Sequence, residues 1–326
     1  MALIGFITAA DLSRFFPSQE EPLLTHDDRV AAQCLRTHGH TVEPIVWGRQ
    51  VPSRVDVAIV RSPWDYQDSS ESAARFFEWL EEVASRVLVI NPVALMRWNL
   101  DKRYLRDLET YDAPIVPTEY YGADRPLRRA DLAALAERHP IVLKPSISAA
   151  AHDTFLIQDP GAVDRLESHN GSIPVDIEFD AWRGDRTFLV QPFLPEIRDR
   201  GEWSVVFIDG EATHAVLKRP RVGDWRVQDE LGGSVETGQP PEAVLRAAQD
   251  SWVALRRAHP QGADALYARI DIVETESGAL TSELELFEPE LFFKRRGVHS
   301  GAVEDRAVAA FRRGVERRLD ASPRPE

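Results

Sequence analysis

Short apolar runs rich in valine and isoleucine recur through the first third of the chain, at residues 2–8, 42–47, 55–61 and 87–90, with helical patterns between several of them. Alternation of this kind predicts a parallel sheet with helices between its strands. Asp27 or Asp28 can cap a helix that ends near Gly39, and Ser69 or Ser70 one that carries Phe76, Phe77, Leu80 and Val83. Residues 1–112 therefore read as a doubly wound lobe, and ligands of such sheets gather beyond the carboxyl ends of the strands. Arg61, Ser62, Trp64, Asp65 and Tyr66 follow the run 57–60, so substrate contacts are expected there.

The pattern then changes. Past Asn91-Pro92 a helical stretch carries Trp98, Asn99, Asp101, Lys102 and Leu105, and the proline-punctuated segment 113–118 ends the lobe. A helix at 129–138 and strands at 141–144, 154–158 and 187–190 make residues 113–195 a lobe of α+β kind. Strands at 203–208 and 212–217 meet at Asp209-Gly210, a strong hairpin signal. A helix at 241–257, strands at 266–273 and 280–287 and a closing helix at 302–317 complete a third lobe, 196–320. The polar tail 321–326 is expected to be disordered. The fold class is α/β: a doubly wound N-terminal lobe followed by two α+β lobes.

Composition narrows the partners. With 43% apolar residues among 326, the chain can bury a substantial core. A net charge of −14 disfavours nucleic acid and anionic membranes as partners, and no apolar run approaches the roughly 20 residues of a membrane span. The single cysteine, Cys34, cannot form an intrachain disulfide, which points to a reducing, cytoplasmic setting. Only four of the 39 basic residues are lysine, Lys102, Lys144, Lys218 and Lys294. In so arginine-rich a chain, a retained lysine marks a place that favours a compact ammonium, such as a phosphate contact, or is a chance survivor on a solvated face.

No lysine follows a glycine, so there is no Walker A motif, and neither a dinucleotide fingerprint nor a kinase loop is present. Lys144 instead ends a strand and precedes a small-residue loop, 146–151, whose backbone N–H groups can approach phosphate; the plain alternative is an ordinary turn. Asp271 lies on one strand, and Glu283 and Glu285 on one side of the next, with Leu284 and Leu286 opposite. Such a carboxylate face suits Mg²⁺ on nucleotide phosphates, or is simply solvated. Gln191-Pro192-Phe193-Leu194 is a proline-broken crossover that could expose backbone to an adenine, with Glu196 and Glu202 behind it, or is only a linker. Lys218, Arg219, Arg226, Gln228, Gly232 and Gly233 form a basic, then glycine-rich stretch within reach of a phosphoryl group, or a solvated loop.

The order of these segments resembles the ATP-grasp carboxylate-amine ligases, and within them the glutathione-synthetase-like group that includes D-cycloserine synthetase. The resemblance runs from about Ile4 to Phe293 and is carried by RSPWDY (61–66), WNLDK (98–102), VLKPSISA (142–149), VQPFLPEI (190–197), GEWSVVFIDGE (201–211), KRPRVGDWRVQDELGG (218–233) and YARIDIV followed by SELELFEPELFF. It implies a pre-ATP-grasp lobe followed by an ATP-grasp domain, with ATP and Mg²⁺ as cofactors and small carboxylate and amine substrates as partners. Lys102 and Lys144 match the lysines on the ATP phosphates, beside a loop holding Ser146 and Ser148. Gln191, Phe193 and Leu194 match the adenine crossover, and Glu202 the ribose acid. Arg226 matches the arginine that stabilises an acyl phosphate, with Gly232 and Gly233 offering backbone to oxyanions. Asp271, Glu283 and Glu285 match the Mg²⁺ carboxylates, with Glu285 where the usual pattern has Asn. Arg61 is the expected holder of a substrate carboxylate, with Trp64, Asp65 and Tyr66 shaping the acceptor pocket. The implied reaction is amide formation through an acyl phosphate on an amino-acid-like or small peptide substrate. A cyclising ligase resembling D-cycloserine synthetase, a nucleotide-binding protein without catalysis, and a homo-oligomer all stay open.

Overall fold

The computed structural model describes residues 1–13, 23–50, 54–148, 153–164, 167–168, 171–172, 183–227, 232–293 and 305–321. The first sheet is parallel, in the order β2-β1-β3-β4, from β1 (Leu3–Thr8), β2 (Thr41–Val46), β3 (Val57–Ser62) and β4 (Leu88–Ile90). Every residue of β3 is buried, as a strand covered on both faces requires. Helix α1 (His26–Thr37) joins β1 to β2 and packs on the face that carries Ile4 and Phe6, and α2 (Ser70–Ala84) joins β3 to β4 and packs on the face that carries Ile7 and Val60. The cap of α1 is Thr25, whose hydroxyl accepts the Asp28 N–H at 3.0 Å, not Asp27 or Asp28; those two turn inward and are buried. Ser69 caps α2 as expected.

The helical stretch after Asn91 is two helices, α3 (Val93–Leu100) and α4 (Tyr104–Thr110). Asp101 interrupts it: its carboxylate accepts the Arg103 N–H at 3.0 Å, a local bond that competes with the helical ladder. Lys102 sits in that break.

The second sheet, β5-β10-β6-β7, is antiparallel and joins β5 (Glu119–Tyr121), β6 (Ile141–Pro145), β7 (Phe155–Ile157) and β10 (Phe188–Pro192), with α5 (Arg129–Ala136) against it. Between them β8 (Glu167–Ser168) pairs with β9 (Gly171–Ser172). A one-turn α6 (Glu196–Asp199) leads to the third sheet, β13-β12-β11-β14-β15: β11 (Glu202–Ile208), β12 (Glu211–Arg219), β13 (Ser234–Thr237), β14 (Tyr267–Thr275) and β15 (Gly278–Glu285). Asp209 (φ 53°) and Gly210 (φ 90°) form the expected hairpin turn. Strands β5 and β13 were not legible as strands, each being short and partly exposed.

Alternation along the third sheet decides where the chemistry sits. Trp203, Val205, Phe207, Ala268, Ile270, Ile272, Leu284 and Leu286 share one apolar cluster with helix α7 (Glu242–Ala258), Phe207 stacking on Trp252 at 5.0 Å. The other face is apolar near Val206, Ile208, Val216 and Tyr267, where the closing helix α8 (Arg306–Ala321) and the first sheet pack. Toward the opposite end the same face turns polar. The outer edge of β15 is satisfied by side chains: Asn99 bonds the Leu284 carbonyl (2.8 Å) and the Leu286 N–H (2.7 Å), and the Tyr104 hydroxyl accepts the Leu284 N–H (2.9 Å). Asn91 ties Leu286 and β14 to the first lobe in the same way. Residues 322–326 of the expected disordered tail lie outside the described residues, whereas Ala321 ends α8.

Candidate active site

The polar end of the third sheet gathers side chains from four adjacent strands. Asp271 faces Glu283 across β14 and β15, and Arg269 faces Glu285. Ser204 pairs with Asp271 on the other side, and Glu202 with Lys218. Because alternate residues share a face, Arg269 and Asp271, like Glu283 and Glu285, point the same way. One oxygen from each of Asp271, Glu283 and Glu285 lies within 4.8 Å of the others.

These carboxylates are not left to repel one another; internal cations hold them. Asp271 receives Lys218 Nζ at 2.9 Å, Ser204 Oγ at 2.6 Å and the Arg269 guanidinium at 3.0 and 3.1 Å. Arg269 also pairs with Glu285, and Lys102 with Glu283 at 3.2 Å. Burial pushes the Asp271 carboxyl up, but Arg269 and Lys218 outweigh it and hold it well below the usual range. Glu283 is likewise held low against burial, by Lys102 and then Lys144. Glu285 goes the other way: burial, with Glu283 and Asp271 nearby, pushes it up to about 8 against the pull of Arg269.

The two lysines come from different elements, Lys102 from the α3–α4 break and Lys144 from β6. The Lys102 ammonium donates to the Ser148 carbonyl, and its backbone N–H to the Ser146 carbonyl at 2.7 Å, docking the loop after β6 onto the α3–α4 break. Lys144 on β6 then stands close enough to Glu283, Lys102 and Glu202 to feel all three charges, and burial lowers its pKa. It is half-buried. Ser146 is buried, and the Ser148 hydroxyl bonds the Pro145 carbonyl at 3.3 Å. The rest of that loop, 149–151, and Gln228 lie outside the described residues.

Gln191, Phe193 and Leu194 follow at the end of β10. The Gln191 amide donates to Thr118 Oγ1 at 2.9 Å, the Phe193 N–H to the Pro140 carbonyl at 2.8 Å, and the Leu194 carbonyl accepts the Ile197 N–H at 3.2 Å. The edge of Trp225 meets the Phe193 ring at 6.2 Å, which brings the stretch after β12 over this crossover. Arg226 is held there by Asp224 at 2.8 and 3.0 Å, and Gly232 (φ +85°) with Gly233 leads into β13.

Several expected placements change. Glu202 is not free beside the crossover, since Lys218 (2.7 Å) and Ser282 Oγ (2.6 Å) take its oxygens within the carboxylate face. Gly201 (φ +87°) makes that possible: a Cβ there would run into the Lys218 carbonyl. The guanidinium within the carboxylate cluster is that of Arg269, not Arg226. Arg61 is not open to a substrate carboxylate; it is 2% exposed and bound to Asp28 (2.8 Å), Asp27 (3.5 Å) and the Pro289 carbonyl (3.1 Å). Asp65 is taken by the Trp47 indole. Trp64 and Tyr66 do reach the site edge, through Glu288: the indole donates to its carbonyl at 3.3 Å and the phenol to its carboxylate at 2.9 Å. Alternation carried on from Glu285 puts Glu288 on the opposite side of the strand, but the chain bends after β15 and Glu288 lies beside this cluster, where burial pushes its pKa up to about 7. Arg269 was missed in sequence, and Glu288 reads there as falling on the opposite side. The first carried a readable signal, standing two residues before Asp271 on one strand; the second did not, since strand alternation stops at Glu285.

Residues 4–91 match the family model described as the N-terminal domain of D-cycloserine synthetase DcsG. The chain is 29% identical over 277 residues to the cycloserine biosynthesis protein DcsG of Streptomyces lavendulae, covering 79% of this chain and 85% of that protein. It is also 29% identical over 214 residues to a glutathione synthetase of Prochlorococcus marinus (strain MIT 9313), covering 64% and 60%. The crystal structure of D-cycloserine synthetase DcsG superposes with a TM-score of 0.74 at 23% identity over 97% of this chain and 99% of that one. The RimK domain ATP-grasp protein of Sphaerobacter thermophilus DSM 20745 superposes with a TM-score of 0.59 at 17% identity over 96% and 98%. The fold is that of the ATP-grasp ligases, and the resemblance read from the sequence holds. Among the described residues no helix is long and apolar enough to cross a membrane.

Proposed function

We propose that this chain is an ATP-dependent carboxylate-amine ligase that releases ADP and phosphate, acting in the cytoplasm on an amino-acid-like or small peptide substrate. One observation carries the reading: Lys102 and Lys144, from two different elements, converge on Glu283 within a three-carboxylate cluster. Two ammonium groups brought together at the cost of their own repulsion fit a polyanion that binds between them.

The donor set fits Mg²⁺, being three carboxylates with hard oxygen ligands whose atoms already lie within 4.8 Å of one another. Asp271, Glu283 and Glu285 would hold it, and when bound it supplies charge neutralisation at the nucleotide phosphates. Lys102 and Lys144 grip the phosphates, and the backbone from Gln191 to Leu194 borders the adenine. A substrate carboxylate oxygen attacks the γ-phosphorus, and the bond to the β-phosphate oxygen breaks with its electron pair leaving on ADP. An amine nitrogen then attacks the acyl carbon, the carbon–oxygen bond to phosphate breaks, and the amine proton leaves with the phosphate or to solvent. Arg269, half-buried and paired with Asp271 and Glu285, is the guanidinium of this cluster available to face the developing oxyanion.

The similarity to DcsG over most of its length favours a second form of the same chemistry, in which amine and carboxylate belong to one molecule and the product is a ring. Product analysis of the same turnover separates ligation from cyclisation. ADP and phosphate are expected, dependent on Mg²⁺ and on a small carboxylate. AMP and pyrophosphate would sink the acyl-phosphate reading, and ATP binding without any substrate-stimulated turnover would leave a nucleotide-binding protein.

A further inference from the structure

Five carboxylates face this end of the third sheet, and four have a cation on them. Glu202 has Lys218, Asp271 has Lys218 and Arg269, Glu283 has Lys102, and Glu285 has Arg269. Glu288 has none within ion-pair distance among the described residues; its carboxylate accepts the neutral Tyr66 hydroxyl at 2.9 Å and lies close to the Trp64 indole, with Arg269 and Lys102 farther off.

Glu288 is held in place from several sides. The Trp64 indole fixes its carbonyl, Arg61 fixes the Pro289 carbonyl, and both oxygens of Asp27 accept backbone N–H groups, from Leu291 at 2.9 Å and Phe293 at 2.6 Å. A half-buried carboxylate held so firmly without a counter-ion is costly. Nucleotide cannot offset that cost, because its phosphates are anionic and repel Glu288. Arg269 and Lys102 act on Glu288 only from beyond ion-pair distance, whereas an ammonium on the other substrate can contact it directly.

Resting on the ligase reading, we propose that Glu288, presented by Tyr66, is the specificity-determining residue that receives the protonated amine of the amino-acid-like substrate. An ammonium there gains a charge-assisted hydrogen bond and is oriented by a preformed acceptor. It has no lone pair, so it is a spectator group rather than the attacking nitrogen. The Tyr66 hydroxyl holds one carboxylate oxygen in place, and the ammonium takes acceptor capacity that a single neutral hydroxyl does not use.

The test uses the full chain with ATP, Mg²⁺ and hydroxylamine, whose nitrogen attacks any acyl phosphate, expelling phosphate and leaving a hydroxamate. Matched acids differing only in a 2-ammonium or 2-hydroxyl group are compared: alanine with lactate and serine with glycerate, in both enantiomers. The wild type is expected to prefer an ammonium partner by roughly tenfold or more in kcat/KM. Glu288→Gln is expected to raise KM for that partner and pull the ratio toward one, with KM for ATP moving less than about twofold. Tyr66→Phe should lower the ratio part of the way, and Glu288→Asp should restore part of it. A ratio that persists in Glu288→Gln, a wild-type preference for the hydroxy acid, or a raised Mg²⁺ requirement in the variant would overturn the assignment. Absence of ADP from the wild type with every acid would instead overturn the ligase reading beneath it.

Discussion

Two arginines, one buried and one half-buried, stand between carboxylates among the described residues, and their surroundings differ. Arg61 lies between Asp27 and Asp28 in the first lobe; Arg269 lies between Asp271 and Glu285 in the third sheet. Around Arg61 the acceptors are used up locally: Asp28 also takes the Ser62 hydroxyl at 3.0 Å, Asp27 takes two backbone N–H groups, and all three side chains are at most 3% exposed. Around Arg269 charges are in surplus, with Lys102, Lys144, Lys218, Glu202 and Glu283 within interaction range of the same cluster, and Glu283 and Glu285 still 29% and 27% exposed. A closed network fixes structure, because any exchange of partner leaves a buried charge alone. A network with spare partners can exchange them for phosphate, metal or substrate.

The sharpest way to break the contrast is to remove each centre. Arg61→Met leaves Asp27 and Asp28 buried without their cation and should cost about 3–5 kcal/mol of stability in urea unfolding. A loss below about 1 kcal/mol would mean the first network is as exchangeable as the second.

Glu283→Gln should behave oppositely. It keeps the shape and discards a charge that faces Lys102, so turnover is expected to fall about 100-fold or more, with a raised Mg²⁺ requirement. Nucleotide-free stability should move by less than about 1 kcal/mol, since Lys102 keeps its bond to the Ser148 carbonyl. Unfolding of this variant would make the acidic face structural.

Lys144→Met should raise KM for ATP by about tenfold while leaving the apoprotein as stable as the wild type or slightly more so, because burial and Lys102 both disfavour the ammonium. An unchanged KM for ATP would return Lys144 to an ordinary strand end.

The smallest effect is a pH slope. Glu285 and Glu288 are raised from 4.5 to about 8 and about 7 in the folded protein, so their protonated forms favour folding. That stabilisation is fully present below about pH 4.5 and is lost as pH rises through 7 to 8. The wild type should therefore lose more melting temperature between pH 5 and 9 than Glu285→Gln does. Parallel curves for the two proteins would show that Arg269 fully offsets Glu285.

The sequence by itself determined much of this. The apolar runs carried the parallel sheet, Asp209-Gly210 carried the hairpin, and alternation at the end of β15 put Glu283 and Glu285 on one face, because these depend on neighbours in the chain; the pairing of β14 with β15 brought Asp271 to them. Only the tertiary structure decided which charges meet. Arg61 reads as a strand-end ligand until α1 folds back and places Asp27 and Asp28 on it, and Glu202 reads as a hinge-side acid until the β11–β12 pairing sets Lys218 opposite. Lys102 and Lys144 lie 42 positions apart in sequence, and their convergence depends on the loop after β6 docking on the α3–α4 break. Local periodicity fixes the face a side chain points from. The partner it finds depends on contacts between distant segments, and in a chain with 39 basic and 53 acidic residues too many pairings are open for order along the chain to choose among them.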